Sequence, residues 1–523
     1  MKKVKKPFKW RMVSYVVAIA LVIVANAQAV AEPVSAGVEY VLSRRHEVVV
    51  QMGRWDTASM DSPVRSIHAA MLHTGKVLLI AGSGNDEKQF DANTFRSVLW
   101  DPELETFKEI PTPWDAFCAG HVFLPDGRLL VAGGTKTYED LTITPKQEYE
   151  GLKDSYIFDP ITERYEKVDS LEYARWYPTL VALADGKVLA SSGLDEKGEI
   201  LYGQTEMFDP ATKQWTHRED LNQYFPTYPA LLLTAEGKLF YTGSNAGYGP
   251  TDKGRTPGFW DLTTNSFKTV TGLKDPEYLE TSASLLLPPA QEQRVMVMGG
   301  GGIGDSPDAT NRTAIIDLDE TNPTFTDGPK LKEAVRYPSA VILPDDTVLA
   351  TGGSRGYRTD DVHNAQIFHP DTNTFTDAAS PRVGRNYHSE AMLLPDGRVA
   401  VFGSNPIDNS FEMRIEIYSP SYLFKGERPQ ITGGNKKIER GTKTELKTSN
   451  PSNIGTAKLM RPSSVTHVTD VEQRSINLPF TTTKDGINVE IPANQNLVPS
   501  GWYMAFITDK QGIPSAAYWV HVK

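Results

Sequence analysis

Seven times along the chain, an apolar stretch, a turn of the Asp-Gly type and a second apolar stretch run into a pair of small residues. The pairs begin at Gly82, Gly133, Ser192, Gly243, Gly299, Gly352 and Gly403, 51 to 59 residues apart. A second landmark interleaves with them, an aromatic or aliphatic residue followed by Asp or a substitute: Trp100-Asp101, Phe158-Asp159, Phe208-Asp209, Trp260-Asp261, Ile316-Asp317, Phe368-His369 and Tyr418-Ser419. A unit of two hairpins cannot bury both of its faces alone. Such units therefore stack around an axis, and the ring has to close to protect its end units.

A period near 50 with four strands per unit is the pattern of kelch-type blades. The expected fold is all-β: a seven-bladed β-propeller over residues 38–425, with Val48-Val49-Val50 completing the last blade. After Pro420 the landmarks stop, and residues 429–523 read as short strands between turn-rich stretches such as Gly433-Gly434-Asn435. That region is expected to be an immunoglobulin-like β-sandwich docked on the propeller.

Six cations among the first eleven residues precede an apolar run from Met12 to Ala25, and Ala27-Gln28-Ala29 and Ala29-Val30-Ala31 offer small-x-small cleavage sites. The run is short for a spanning helix, so residues 1–31 are expected to be an export signal, with an uncleaved membrane anchor as the alternative. The mature protein is then secreted, periplasmic or on the cell surface. The net charge is −11 and no basic block occurs beyond the first eleven residues, which excludes a nucleic-acid partner. Cys118 is the only cysteine, so no intrachain disulfide can form.

Propeller sites lie at the mouth of the central channel, where the innermost strands begin. Counting nine residues back from the turn positions Gly127, Gly186, Gly237, Asp346 and Gly397 gives Cys118, Tyr177, Tyr228, Tyr337 and His388. Each is a residue type that can ligate a metal or carry redox chemistry. Aromatic packing at the start of a blade accounts equally well for Tyr228 and Tyr337, but Cys118 and Tyr177 fall in consecutive repeats.

Four segments carry a resemblance to a known family: Phe117-Cys118-Ala119-Gly120, Ala174-Arg175-Trp176-Tyr177-Pro178, Arg385-Asn386-Tyr387-His388-Ser389 with Leu394-Pro395-Asp396-Gly397-Arg398, and the run from Thr466-His467-Val468 to Gln473-Arg474. Their order and types resemble the copper radical oxidases, which include galactose oxidase and glyoxal oxidase. The resemblance implies one copper ion held by Tyr177, Tyr387, His388 and His467, with Tyr177 joined to Cys118 by a thioether. It also implies that Tyr387 acts as general base and that a Tyr177 radical takes hydrogen from the substrate carbon, while dioxygen leaves as hydrogen peroxide.

Galactose oxidase carries a covering tryptophan after the segment that corresponds to Ser191-Ser192-Gly193, whereas this chain has Leu194 there. That difference and the Arg-Trp-Tyr-Pro segment lean toward the glyoxal oxidase branch. The expected substrates are small aldehydes, as hydrates, or primary alcohols, bound at an open face walled by Tyr228, Arg336 and Tyr337. Another tryptophan, such as Trp55 or Trp114, is expected to shield the radical from elsewhere, and the sequence does not single one out. The alternative is a non-catalytic exported propeller that binds glycans or a protein partner.

Overall fold

The computed structural model describes residues 47–249 and 254–523; residues 1–31, expected to be an export signal, fall outside them. Between Arg54 and Ser419 the described chain folds into seven antiparallel sheets of four or five strands, one for each sequence repeat, and two two-stranded ribbons. The second repeat shows the plan. Gly120–Phe123 pairs with Leu129–Ala132, which pairs with Ser155–Asp159, which pairs with Arg164–Lys167. The first two strands are buried throughout, whereas the fourth alternates toward solvent. Apolar runs thus form the inner strands and polar alternation the rim.

Both landmarks have local causes. The landmark aspartate ends the third strand and caps the turn into the fourth: Asp101 Oδ1 accepts from the Glu103 and Leu104 amides at 3.0 Å, and Asp159 and Asp261 do the same in their repeats. The small pairs are needed for close approach. A Cβ at Gly133, where φ is +84°, would stand 2.3 Å from the Arg175 carbonyl of the next repeat.

The first strands of the second, third and fourth repeats lie against one another in turn, as do those of the fifth, sixth and seventh, and Ser389–Leu393 of the seventh repeat lies against His68–Met71 of the first. The fourth strand of the seventh sheet comes from the other end of the repeat region: Arg54–Thr57 pairs antiparallel with Glu416–Ser419. This corrects the expectation for Val48–Val50, which are helical. The helix ends at Gly53, whose left-handed φ of +73° turns the chain into the edge strand, and Trp55 is that strand's one buried side chain.

Two further sheets follow Pro429. One holds Ile431–Gly434, Lys443–Thr448, Gly486–Glu490 and Phe480–Thr482; the other holds Lys437–Ile438, Tyr518–Val522, Gly501–Asp509, Ile454–Met460 and Ser475–Asn477. Their apolar faces share one core with side chains of the fourth and fifth repeats, including Leu232, Phe240 and Val297. The tail also adds a strand to the first repeat. Ser464–Thr466 pairs with His68–Ala70 and runs beside Gly120–Phe123, and the next residue, His467, lies against Tyr177, Tyr228 and His388 at the starts of three other repeats.

Candidate metal centre

In six of the seven repeats a residue just before the first strand takes one backbone state. Cys118, Tyr177, Tyr228, Thr281, Tyr337 and His388 all have φ between +46° and +66°. For residues other than glycine this conformation costs of order 1–3 kcal/mol each, and it persists only where surrounding bonds impose it. Here those bonds run between repeats. The Tyr177 amide donates to the Cys118 carbonyl and the Tyr228 amide to the Tyr177 carbonyl, each at 2.9 Å, and the Tyr337 amide donates to the Thr281 carbonyl at 3.1 Å.

On this frame the expected ligands come together. Among the described residues, Cys118, His388 and His467 form the one group of metal-ligating side chains of its kind, with their ligand atoms within 4.8 Å of one another and all buried. Cys118 Sγ lies 3.9 Å from His467 Nε2. The Tyr177 and Tyr387 phenols share a short hydrogen bond, and the His467 ring stands 4.6 Å from the rings of both Tyr177 and His388. Both His388 ring nitrogens are buried without a hydrogen-bond partner. A neutral imidazole left bare in this way is a ligand waiting for a cation.

Electrostatics keeps both imidazoles neutral. Burial, and then the neighbouring His121 imidazole, pull His467 down to about 3; burial and then His467 pull His388 well below the ordinary range. The Tyr177 and Tyr387 phenols and the Cys118 thiol are pushed upward, in each case chiefly by burial. Two imidazole nitrogens and two phenol oxygens fit copper as a donor set, and a bound cation would reverse the penalty on the phenolates.

The tryptophan expectation needs correction. Trp55 packs on Tyr418 and Trp114 on Tyr156, both away from the centre. Trp176 itself covers Tyr177, with ring centroids 3.7 Å apart and planes within 8°, and Tyr149 stacks on the far side of Trp176 at 4.4 Å. Leu194, at the position of the missing tryptophan, pairs by its backbone with Trp176. Its identity therefore does not expose the tyrosine.

A cavity of about 620 Å³ opens above Tyr177 and Tyr387, walled by Phe117, Tyr149, Trp176, Tyr248, Tyr337 and Arg358. Of the three expected wall residues only Tyr337 lines it. Tyr228 lies beneath, packed against Tyr177 and His467, with its hydroxyl donated to the Ala119 carbonyl at 2.7 Å. Arg336 is wholly buried, paired with Glu280 at 3.5 Å and bonded to the Gly304 carbonyl at 2.9 Å. The arginines of the motif segments are structural as well. Arg175 pairs with the buried Glu206 at 2.9 Å, and Arg385 lies 3.8 Å from Glu416. Thr281 was not found by the nine-residue count because the hairpin of the fifth repeat is lengthened by Pro288 to Gln293. Tyr149 and Arg358 sit in connections between strands, where no repeat pattern marks them.

The sequence model described as "Glyoxal oxidase N-terminus" matches residues 83–422, and "Galactose oxidase-like, Early set domain" matches residues 428–522. Galactose oxidase of Gibberella zeae is 26% identical over 90% of this chain and 71% of its own length. Aldehyde oxidase GLOX of Vitis pseudoreticulata is 25% identical over 90% of this chain and 97% of its own. In fold the chain is similar to a fungal alcohol oxidase solved in complex with copper, with a TM-score of 0.76 and 20% identity over 90% of this chain and the whole of that one.

Proposed function

Because the chain belongs to the glyoxal oxidase family, we propose that it is a copper radical oxidase. It oxidises aldehyde hydrates or primary alcohols and reduces dioxygen to hydrogen peroxide. The observation that carries this reading is the pair of bare, buried His388 nitrogens beside His467, next to two converging phenols that line a cavity. A purely binding role is not favoured, since it gives no account of that convergence.

Tyr177, Tyr387, His388 and His467 would hold the copper. Removing two electrons needs two acceptors, and copper held there would supply one of them. The other is the Tyr177 ring, joined to the neighbouring Cys118 by a thioether that spreads an unpaired electron. Tyr387 Oη takes the proton of the substrate hydroxyl, and the Tyr177 radical takes hydrogen from the adjacent carbon. Dioxygen accepts both electrons and both protons and leaves as hydrogen peroxide. The Trp176–Tyr149 stack excludes water from one face of Tyr177. Tyr337 is a wall residue toward the substrate, whereas Tyr228 and Arg336 support the floor and a wall loop from behind.

The architecture read with this function is a seven-bladed kelch-type propeller over residues 38–425 and an immunoglobulin-like sandwich over residues 429–523 that carries His467. Seven repeat sheets, with the first strands of the seventh and first in contact, support it. Residues 1–31 are read as an export signal, which puts the enzyme outside the cytoplasmic membrane. Sequencing the N-terminus of the exported protein distinguishes cleavage from a retained anchor.

A peroxide-coupled assay of the copper-loaded protein tests the function. Turnover of glyoxal, methylglyoxal or glycolaldehyde above that of galactose is expected. The reverse order overturns the substrate reading, and no peroxide from any aldehyde or primary alcohol overturns the activity.

A further inference from the structure

Behind the metal-facing side of His467 runs a buried polar line with no part in the chemistry above. Thr466 Oγ1 stands 2.6 Å from His467 Nδ1 and 2.7 Å from His68 Nδ1, with a longer approach of 3.4 Å to the Ile67 carbonyl. The other ring nitrogen of His68, Nε2, lies 3.2 Å from the Ala116 carbonyl. All three side chains are buried, and among the described residues no carboxylate bonds to His68. His68 comes from the first strand of the first repeat, Thr466 from the tail strand in register with it, and Ala116 from the loop that leads into Cys118.

One arrangement of protons satisfies the whole line. A carbonyl can only accept, so His68 Nε2 carries its proton toward Ala116. The neutral ring then has a bare Nδ1, which accepts from the Thr466 hydroxyl. The Thr466 oxygen in turn accepts from His467 Nδ1–H, and this leaves His467 Nε2 bare. Nε2 is the atom that faces Cys118 Sγ. The opposite arrangement sets a His68 lone pair against a carbonyl lone pair and puts a proton on the His467 nitrogen that faces the cluster.

We propose that His68 and Thr466 are positioning residues that hold His467 in its Nδ1–H tautomer, with Nε2 presented to copper, and tie this tail-domain ligand to the loop that bears Cys118. The inference rests on His467 being a copper ligand. Partners of this kind behind a ligating histidine typically change metal affinity by about 10- to 100-fold.

Four full-length variants test it in two pairs. Thr466→Val deletes the hydroxyl at nearly constant shape, and Thr466→Ser keeps it. His68→Leu deletes both contacts of the ring, and His68→Gln offers an amide that can still accept from Thr466 and donate to Ala116. Chelator competition on the metal-free protein should show copper binding weakened about 10- to 100-fold in the Val and Leu variants and by less than about threefold in the Ser and Gln variants. Nitrogen-15 NMR of histidine-labelled, metal-free protein should show His467 protonated at Nδ1. Protonation at Nε2 in the wild type, or Thr466→Val binding copper as tightly as Thr466→Ser, overturns the inference. Should Thr466→Val fail to fold, the His68 pair makes the same comparison. His467→Ala separates the two levels. If it retains copper, the ligand assignment itself has failed; if it loses copper while Thr466→Val and His68→Leu do not, only the positioning role has failed.

Discussion

Two arcs of first strands share a backbone and differ in what their side chains do. On one, Cys118, Tyr177 and His388 direct their polar atoms at one another and at His467. On the other, Tyr228 donates its hydroxyl to the Ala119 carbonyl and Thr281 donates its own to the Glu280 carbonyl at 2.6 Å. The left-handed backbone is common to both. The repeat therefore supplies a position and a direction, and a site arises only where the side-chain atoms are left without backbone partners.

Substitutions across the two arcs sharpen this contrast. The largest effect is expected from His388→Ala and His467→Ala. Each removes one imidazole from the same ion, so metal analysis after dialysis should find both nearly copper-free, one in the repeat region and one in the tail. Tyr387→Phe should retain copper and lower kcat by about 10²- to 10⁴-fold, the range for a positioned general base. Cys118→Ser should leave the fold intact and abolish most peroxide production, and it should remove any difference in denaturing electrophoretic mobility caused by an internal cross-link. A smaller effect is expected at Gly247, where φ is +83° and a Cβ would stand 2.8 Å from Cδ2 and Cε2 of Tyr177. Gly247→Ala should cost about 1–3 kcal/mol in chemical denaturation and slow turnover by displacing that ring. The smallest belongs to the second arc. Tyr228→Phe should cost about 1 kcal/mol, one buried hydrogen bond, and leave copper content unchanged. If Tyr228→Phe loses copper as His388→Ala does, the distinction between the arcs collapses.

The repeat landmarks were legible because each answers a local demand: the aspartate caps a turn, and the small pair admits a neighbouring backbone. The nine-residue offset reached five of the six left-handed positions for the same reason, since a hairpin of constant length holds the count. Val48–Val50 misled because β-branched residues favour strands only where a sheet edge receives them. The edge strand that closes the seventh sheet is Arg-Trp-Asp-Thr, mostly exposed, and reads as polar. Trp176 was hidden by a different cause. Adjacent side chains ordinarily point apart, but the left-handed turn at Tyr177 folds its ring back onto its neighbour. In the histidine line behind His467 only Thr466 falls within a motif, and nothing in the sequence joins it to His68, 398 residues away.

That long span also orders events in time. His467 follows Cys118 by 349 residues, and at about 5–20 residues per second a ribosome needs tens of seconds to bridge them. Through that interval the thiol and Tyr177 exist without their last companion. The centre is therefore completed only once His467 has been made, and any cross-linking of Cys118 to Tyr177 that depends on the assembled site comes after that point.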